Sequence, residues 1–277
     1  MDPADNNFEK LQTALKQLGK VAVAFSSGVD SSFLLKTAHD VLGENAAAIT
    51  VRHLAFPQRE LEEARAFCRS LGIRLIETEV DVLNVDGFAE NPPQRCYFCK
   101  TAVFKAIKAA AEANGFPFVA EGSNVDDEGD FRPGMRAIKE LGVKSPLRDA
   151  GLSKQQIRAL SKKQGLVTWD KPSYACLATR IPYGEPITPE KLKMIETAEQ
   201  TLFDLGFRQC RVRHHGETAR IEIEDADYAR IVLPEVRTRI NEKLRECGFS
   251  FVTLDLCPYR TGSMNAALQP SELKHNN

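Results

Sequence analysis

Short apolar runs alternate with helix-period segments through the first two thirds of the chain, and nothing else in it constrains the fold as strongly. Residues 21–25 (VAVAF) read as a buried strand and 31–42 as the helix after it. A second strand follows at 46–51, a charged amphipathic helix at 57–71 stopped by Gly72, and a third strand at 73–78. Residues 99–114 form an alanine-rich helix ended by Gly115, and 117–121 a fourth strand. Strands in this alternation pair in parallel and need helices over both faces. The expected fold class is α/β, a doubly wound parallel sheet, with ligands beyond the carboxyl ends of its strands.

Residues 122–134 (GSNVDDEGDFRPG) are too rich in Asp and Gly for regular structure, and loops of that length are commonly functional. A helix over 153–164 starts with Ser153 as N-cap and Gln156 closing a capping box. Residues 171–186 carry three prolines and read as an irregular connection. The expected division is a nucleotide domain over 1–170, that connection, and a small α+β domain over 187–277. The small domain opens with Thr188 as N-cap and Pro189 at the first helical position of a helix to residue 205. Strands are expected at 208–214, 219–224 and 249–256, and a helix interrupted near Pro234 over 226–247.

With 37 basic and 38 acidic residues among 277, the formal net charge is -1, so an electrostatic nucleic-acid binder is not expected. No apolar run approaches the roughly 18 residues of a membrane span, and the start MDPADNNFEK lacks the basic and apolar regions of a secretory signal. The expectation is a cytoplasmic protein with no membrane partner. Its seven cysteines are then held as thiols.

The segment VAVAF-SSGVDS-SFLLK places a tight loop between a buried strand and a helix N-terminus. The first N–H groups of such a helix are unpaired and its dipole is positive there, so the loop Ser26, Ser27, Gly28, Val29, Asp30 and Ser31 suits a pyrophosphate. Gly28 allows close approach of the backbone, the serines add hydroxyl donors, and Asp30 suits a Mg²⁺ bridging phosphate oxygens. Walker A and GxGxxG patterns are both absent. A plain strand–helix turn with a polar cap is the alternative.

Cys96 and Cys99 form a C-x₂-C pair at a helix start, a metal or cluster half-site, a redox pair, or two incidental thiols. His214 and His215 are adjacent on a strand end and point to opposite faces, so they do not complete a zinc site with that pair. Cys176 lies in an irregular, proline-bounded segment where a structural cysteine is less expected. Cys68, Cys210, Cys247 and Cys257 read as core or near-core.

The loop SSGVDS resembles the SGGxDS signature of the PP-loop ATP pyrophosphatase superfamily, in which ATP is cleaved between its α and β phosphates. Ser27 stands where that superfamily commonly has glycine, and if the position requires a positive φ the serine costs stability. Across nearly the whole chain, the strings RCYFCK, GSNVDDEGDFRPGMRA, KPSYACLATRIPYG, LGFRQCRVRHH, ARIEI and FVTLDLCPYRTGSMN resemble the LarE family of ATP-dependent sulfur transferases. The resemblance implies adenylation of a carboxylate on a pyridinium mononucleotide and replacement of AMP by sulfur, within a homo-oligomer. Some members sacrifice a cysteine as the sulfur source. Cys96, Cys99 and Cys176 match the three-cysteine members, which carry a [4Fe–4S] cluster, and that route is favoured here.

Resemblance also makes Lys100 and Arg180 the leading cations for the developing phosphate charge, and places Glu199 and Glu222 near the site. For Glu222, a strand residue facing solvent is the preferred plain alternative. Arg211 and Arg213 share one strand face and suit a substrate phosphate. Gly122 belongs with the nucleotide loop, Asp126 and Asp127 suit Mg²⁺ or ribose, and Arg132 is a weaker candidate of that kind. Competing functions are a tRNA thiolase, which needs a basic face or RNA-binding domain, an amide-forming synthetase, which needs ammonia delivery, and an ATP-binding sensor, which needs no cysteines.

Overall fold

The computed structural model describes residues 3–127 and 133–264. The chain divides into two compact units. One runs through Val82 and resumes over Cys96–Tyr174; the other comprises Leu83–Arg95 and the chain from Ala175 on.

The first unit is built on β1 (Val21–Ala24), β2 (Ala46–Arg52), β3 (Leu75–Glu79) and β4 (Phe118–Ala120), all parallel, in the order β3-β2-β1-β4. β1 is central and fully apolar, and Val21, Ala22 and Val23 have no exposed surface. Its helices are α1 (Pro3–Leu18), α2 (Val29–Leu42), α3 (Gln58–Leu71), α4 (Arg95–Ala113), α5 (Pro133–Glu140), α6 (Pro146–Asp149) and α7 (Lys154–Lys163). One buried cluster joins Leu11, Leu15, Phe33, Leu34, Ile157 and Leu160 to one side of β1; another joins Ala22, Ile49, Phe104 and Ile107. A parallel sheet covered by helices on both faces is the architecture that the alternation implies.

Several boundaries differ from the sequence expectation. α1 was not foreseen: its buried Leu11 and Leu15 are sparse among polar residues. α4 begins at Arg95, four residues early, so Cys96 and Cys99 both lie inside its first turns. α5 starts at Pro133, inside the stretch expected to be irregular. α3 ends on Gly72 at φ 66, the left-handed cap that glycine adopts without steric cost.

The second unit contains α8 (Pro189–Asp204), β5 (Cys210–His215), β6 (Thr218–Ile223), α9 (Tyr228–Ile231), α10 (Pro234–Glu246) and β7 (Phe251–Leu254). β5 and β6 are antiparallel, β7 pairs in parallel with β6, and Leu202, Phe207, Val212, Ile221, Leu244 and Phe249 form the core. Asn91, fully buried at φ 58, ties residues 83–95 into this unit. Its Nδ2 donates to the carbonyls of Ile181, Pro182 and Glu185, and its Oδ1 accepts from Arg95 at 2.7 Å. No described helix is long and apolar enough to cross a membrane.

Candidate active site

The nucleotide loop leaves β1 from a strand end anchored to β2. Phe25 N–H bonds to Ile49 O at 2.9 Å, and Thr50 Oγ1 donates back to Phe25 O at 2.8 Å. Ser26 is exposed, Gly28 is the N-cap of α2, and the first intrahelical bond runs from Ser32 N to Gly28 O. Among the described residues no side chain caps α2. Its leading N–H groups are therefore the open donors of a 14-residue helix, with the positive dipole end behind them. Ser26 and Ser31 hydroxyls lie 3.2 Å apart beside them.

Gly28 has an extended backbone (φ -74, ψ 167), and an added Cβ would meet only Ser26 Oγ, at 3.5 Å. Neither φ nor packing among the described residues demands glycine there. The demanding positions are elsewhere. Ser27 takes φ 55, the left-handed region, at a cost of about 1–2 kcal/mol for a residue with a Cβ. Its hydroxyl is not an anion donor: it is buried and bonds Glu60 O at 3.1 Å and Glu60 Oε2 at 3.2 Å. Gly122, just past β4, is packed so closely that a Cβ would lie 3.0 Å from Ser31 N and 3.2 Å from the Asp30 carbonyl carbon. The loops after β1 and β4 thus meet at the point where strand order reverses, the usual ligand position in such sheets.

Asp30 is ion-paired with Lys154 at the start of α7, and Asn124 Nδ2 stands 3.4 Å from its other oxygen. Asp126 accepts from Lys154 N–H at 2.7 Å, and Asp127 accepts from Asn124 N–H at 2.9 Å. Both loop carboxylates are therefore spent on positioning α7 and the turn before it. Arg132 lies outside the described residues. The Lys100 stem lies against Gly134, where a Cβ would come within 2.4 Å of Lys100 Cδ.

Cys96 and Cys99 are one turn apart on α4 and partly exposed, as is Cys176 in the second unit. Cys68 and Cys210 are buried, and burial pushes the Cys68 thiol up to about 12. Cys257 is exposed in the turn after β7, which corrects its assignment to the core, and Cys247 is only partly buried. Among the described residues no group of three or more His, Cys, Asp and Glu is gathered to hold a metal.

In the second unit Cys176 precedes a 3₁₀ turn over Leu177–Arg180. Arg180 is 1% exposed; its Nε and Nη2 grip both oxygens of Glu199 at 2.8 Å. Its Nη1 donates to Ala175 O at 2.8 Å, Cys176 O at 3.1 Å and Thr179 Oγ1 at 2.8 Å. Burial works against both charges. Their mutual attraction and hydrogen bonds outweigh it, holding Arg180 above and Glu199 below their ordinary ranges. Arg211 is buried too, bonding Cys210 O at 2.7 Å and stacking over Tyr259 at 4.7 Å. Burial, reinforced by the nearby Arg180 charge, lowers its pKa. Arg213 binds both oxygens of Glu222, at 2.9 and 2.7 Å, and Thr179 O at 2.8 Å. Glu222 is 3% exposed, so it does not face solvent as the sequence suggested. Its second partner is Arg220, which also pairs with Asp255.

No family model matches the chain. An uncharacterized protein of Synechocystis sp. is 38% identical over 264 residues, 95% of this chain and 98% of that protein. The pyridinium-3,5-bisthiocarboxylic acid mononucleotide synthase of Lactiplantibacillus plantarum is 36% identical over 264 residues, 95% of each chain. The chain belongs to the LarE family. A GMP synthase of Ruegeria sp. is 27% identical over 237 residues, 75% of this chain but 43% of that enzyme, consistent with a shared PP-loop.

In this LarE family member, three residues around the nucleotide loop were not foreseen from the sequence: Lys154, Lys171 and Glu60. Lysines and glutamates on amphipathic segments look solvated in one dimension. A signal existed only at Lys154, which follows the recognisable N-cap Ser153, whose capping box with Gln156 is formed.

Proposed function

We propose that this protein is an ATP-dependent sulfur transferase acting on pyridinium-3,5-biscarboxylic acid mononucleotide. The substrate carboxylate attacks the α-phosphorus of ATP, the bond to the β-phosphate oxygen breaks, and pyrophosphate leaves. A sulfur nucleophile then adds to the acyl carbon and AMP departs, giving a thiocarboxylate. The single observation that carries this is the N-terminus of α2, hemmed by Gly122, in a chain that aligns over 95% of its length with a pyridinium-3,5-bisthiocarboxylic acid mononucleotide synthase. N–H groups fixed there favour the charge that develops on the leaving pyrophosphate, with no reorganisation at the moment of reaction.

Mg²⁺ fits the carboxylate of Asp30, with Lys154 as the cation that pairs with it otherwise. Cys96, Cys99 and Cys176 are the proposed ligands of a [4Fe–4S] cluster, by family resemblance. Their chemistry suits it: three partly exposed thiols, two of them one helical turn apart, unlike the buried Cys68 and Cys210. When bound, such a cluster supplies an iron with an open position for sulfide. The chain's own part is to hold the Cys176 segment, which Arg180 does through two carbonyls. A cytoplasmic homo-oligomer that does not bind nucleic acid completes the proposal.

The test combines two measurements. Incubation with ATP, Mg²⁺ and the mononucleotide is expected to release pyrophosphate and exchange a carboxylate oxygen for sulfur, read by mass spectrometry. Anaerobic purification is expected to yield about four irons per chain, lost when Cys96, Cys99 and Cys176 become alanine. An iron-free protein that loses the mass of H₂S after one turnover makes Cys176 a sacrificial donor instead. Absence of pyrophosphate release overturns the whole assignment.

A further inference from the structure

Lys171 follows α7 by eight residues; its side chain is 11% exposed and its ammonium is turned onto the nucleotide loop. It donates to Ser27 O at 2.9 Å, Ser27 Oγ at 3.1 Å and Glu60 Oε2 at 3.0 Å, and it pairs with Glu63. Arg59 and Lys171 both lie over the Tyr174 ring, at 4.4 and 5.7 Å. An ammonium has three donors, so this one is fully committed to protein acceptors.

A residue with a Cβ persists at positive φ only where its surroundings over-determine it. At Ser27 those surroundings are few and specific. Glu60 fixes the hydroxyl through its own carbonyl and carboxylate, and Lys171 fixes both the hydroxyl and the backbone carbonyl. Glu60 is 4% exposed, and Lys171 is its close cation, Arg59 standing 3.6 Å from the other oxygen.

We propose that Lys171 is a positioning residue for the nucleotide loop. It holds Ser27 in the left-handed conformation that a glycine would adopt unaided, and thereby keeps the N–H groups of Val29, Asp30 and Ser31 set for a polyphosphate. The serine and the lysine act as a pair: the lysine supplies from outside the loop what the serine lacks in backbone freedom. This inference deepens the ATP-dependent activity proposed above and rests on it.

The test measures binding of a non-hydrolysable ATP analogue with Mg²⁺ by calorimetry, and KM and kcat for pyrophosphate release. The proteins are the wild type, Lys171→Gln, Ser27→Gly and the double variant. Lys171→Gln is expected to weaken analogue binding and raise KM for ATP about tenfold, the equivalent of the backbone strain it no longer offsets. Its kcat is expected to stay within about twofold, because the lysine touches no reacting atom. Adding Ser27→Gly is expected to restore most of the binding without restoring the thermal midpoint, which separates loop positioning from general stability. Unchanged binding in Lys171→Gln, or no recovery in the double variant, overturns the inference. Should Lys171→Gln fail to fold, Ser27→Gly and Ser27→Ala decide it with Lys171 in place. Glycine is expected to bind the analogue more tightly than alanine, and equal binding overturns the inference. A wild type that does not bind the analogue overturns the ATP assignment itself, and this inference with it.

Discussion

The Arg180 guanidinium donates to the carbonyl oxygen of Cys176 at 3.1 Å while its other edge grips both oxygens of Glu199. A residue that resemblance offered as a phosphate-binding cation is thus committed, along its whole donor fork, to the segment carrying the candidate sulfur-handling cysteine. Glu199 Oε1 also accepts from Val212 N–H at 3.0 Å, so the same carboxylate links that segment to β5.

Removing either partner leaves a buried charge alone. Glu199→Gln and Arg180→Gln are each expected to cost about 3–5 kcal/mol, read as a lower denaturant midpoint at unchanged m-value. Arg180→Lys keeps the charge but not the fork, and sulfur transfer is expected to fall further than pyrophosphate release. Equal loss of both rates would show that Arg180 serves adenylation rather than the Cys176 segment.

Gly122→Ala tests the meeting of the two loops. The new methyl would press on Ser31 N and on the backbone of Asp30, neither of which yields without moving α2. A stability loss of about 1–3 kcal/mol is expected from the crowding, with analogue affinity falling by at least tenfold. Calorimetry on the folded variant checks it.

His53 makes the fold sensitive to mild acid. Burial depresses its pKa from 6.5 to about 4, and among the described residues its Nδ1 has no hydrogen-bond partner. Between those values the unfolded chain takes up a proton that the folded chain refuses, so stability falls as pH drops from about 6.5 to 4, by at most about 3 kcal/mol. His53→Phe is expected to flatten the stability profile over that window. Glu199, whose folded pKa is lowered, contributes stability above the unfolded carboxylate range that is lost as pH falls through its folded value.

Ser153→Ala should loosen the helix that carries Lys154 to Asp30. The serine Oγ accepts from Gln156 N–H and the Gln156 side chain accepts from Ser153 N–H, so alanine removes the first bond and leaves only the second. A cost of about 1 kcal/mol is expected, seen as a lower thermal midpoint. Asp126→Ala removes the other acceptor at that helix start and should act in the same direction.

Features carried by neighbours in sequence were legible before any coordinates. The capping box at Ser153, Thr188 with Pro189 at the start of α8, the stop at Gly72 and the break near Pro234 all depend on residues within one turn of each other. Ser27 was visible as a departure from the expected glycine, but its φ was not, because φ there is held by Glu60 and Lys171 from 33 and 144 residues away. Glu222 looked solvent-facing because strand alternation reports which face a residue shares, not what covers that face.

The sequence by itself determined the α/β class, the strand–loop–helix geometry at residues 21–42 and the family, since hydrophobic period, turn chemistry and motif strings are local or linear properties. Tertiary structure alone decided which charges are spent on the protein. Arg180 is buried against Glu199 and Arg213 against Glu222, Arg211 is buried on the Cys210 carbonyl and the Tyr259 ring, and Leu83–Arg95 packs with the second unit. The physical reason is that a charge's role depends on its distance to a counter-charge and on how much water it keeps. Both are set by folding segments that are remote in sequence against one another.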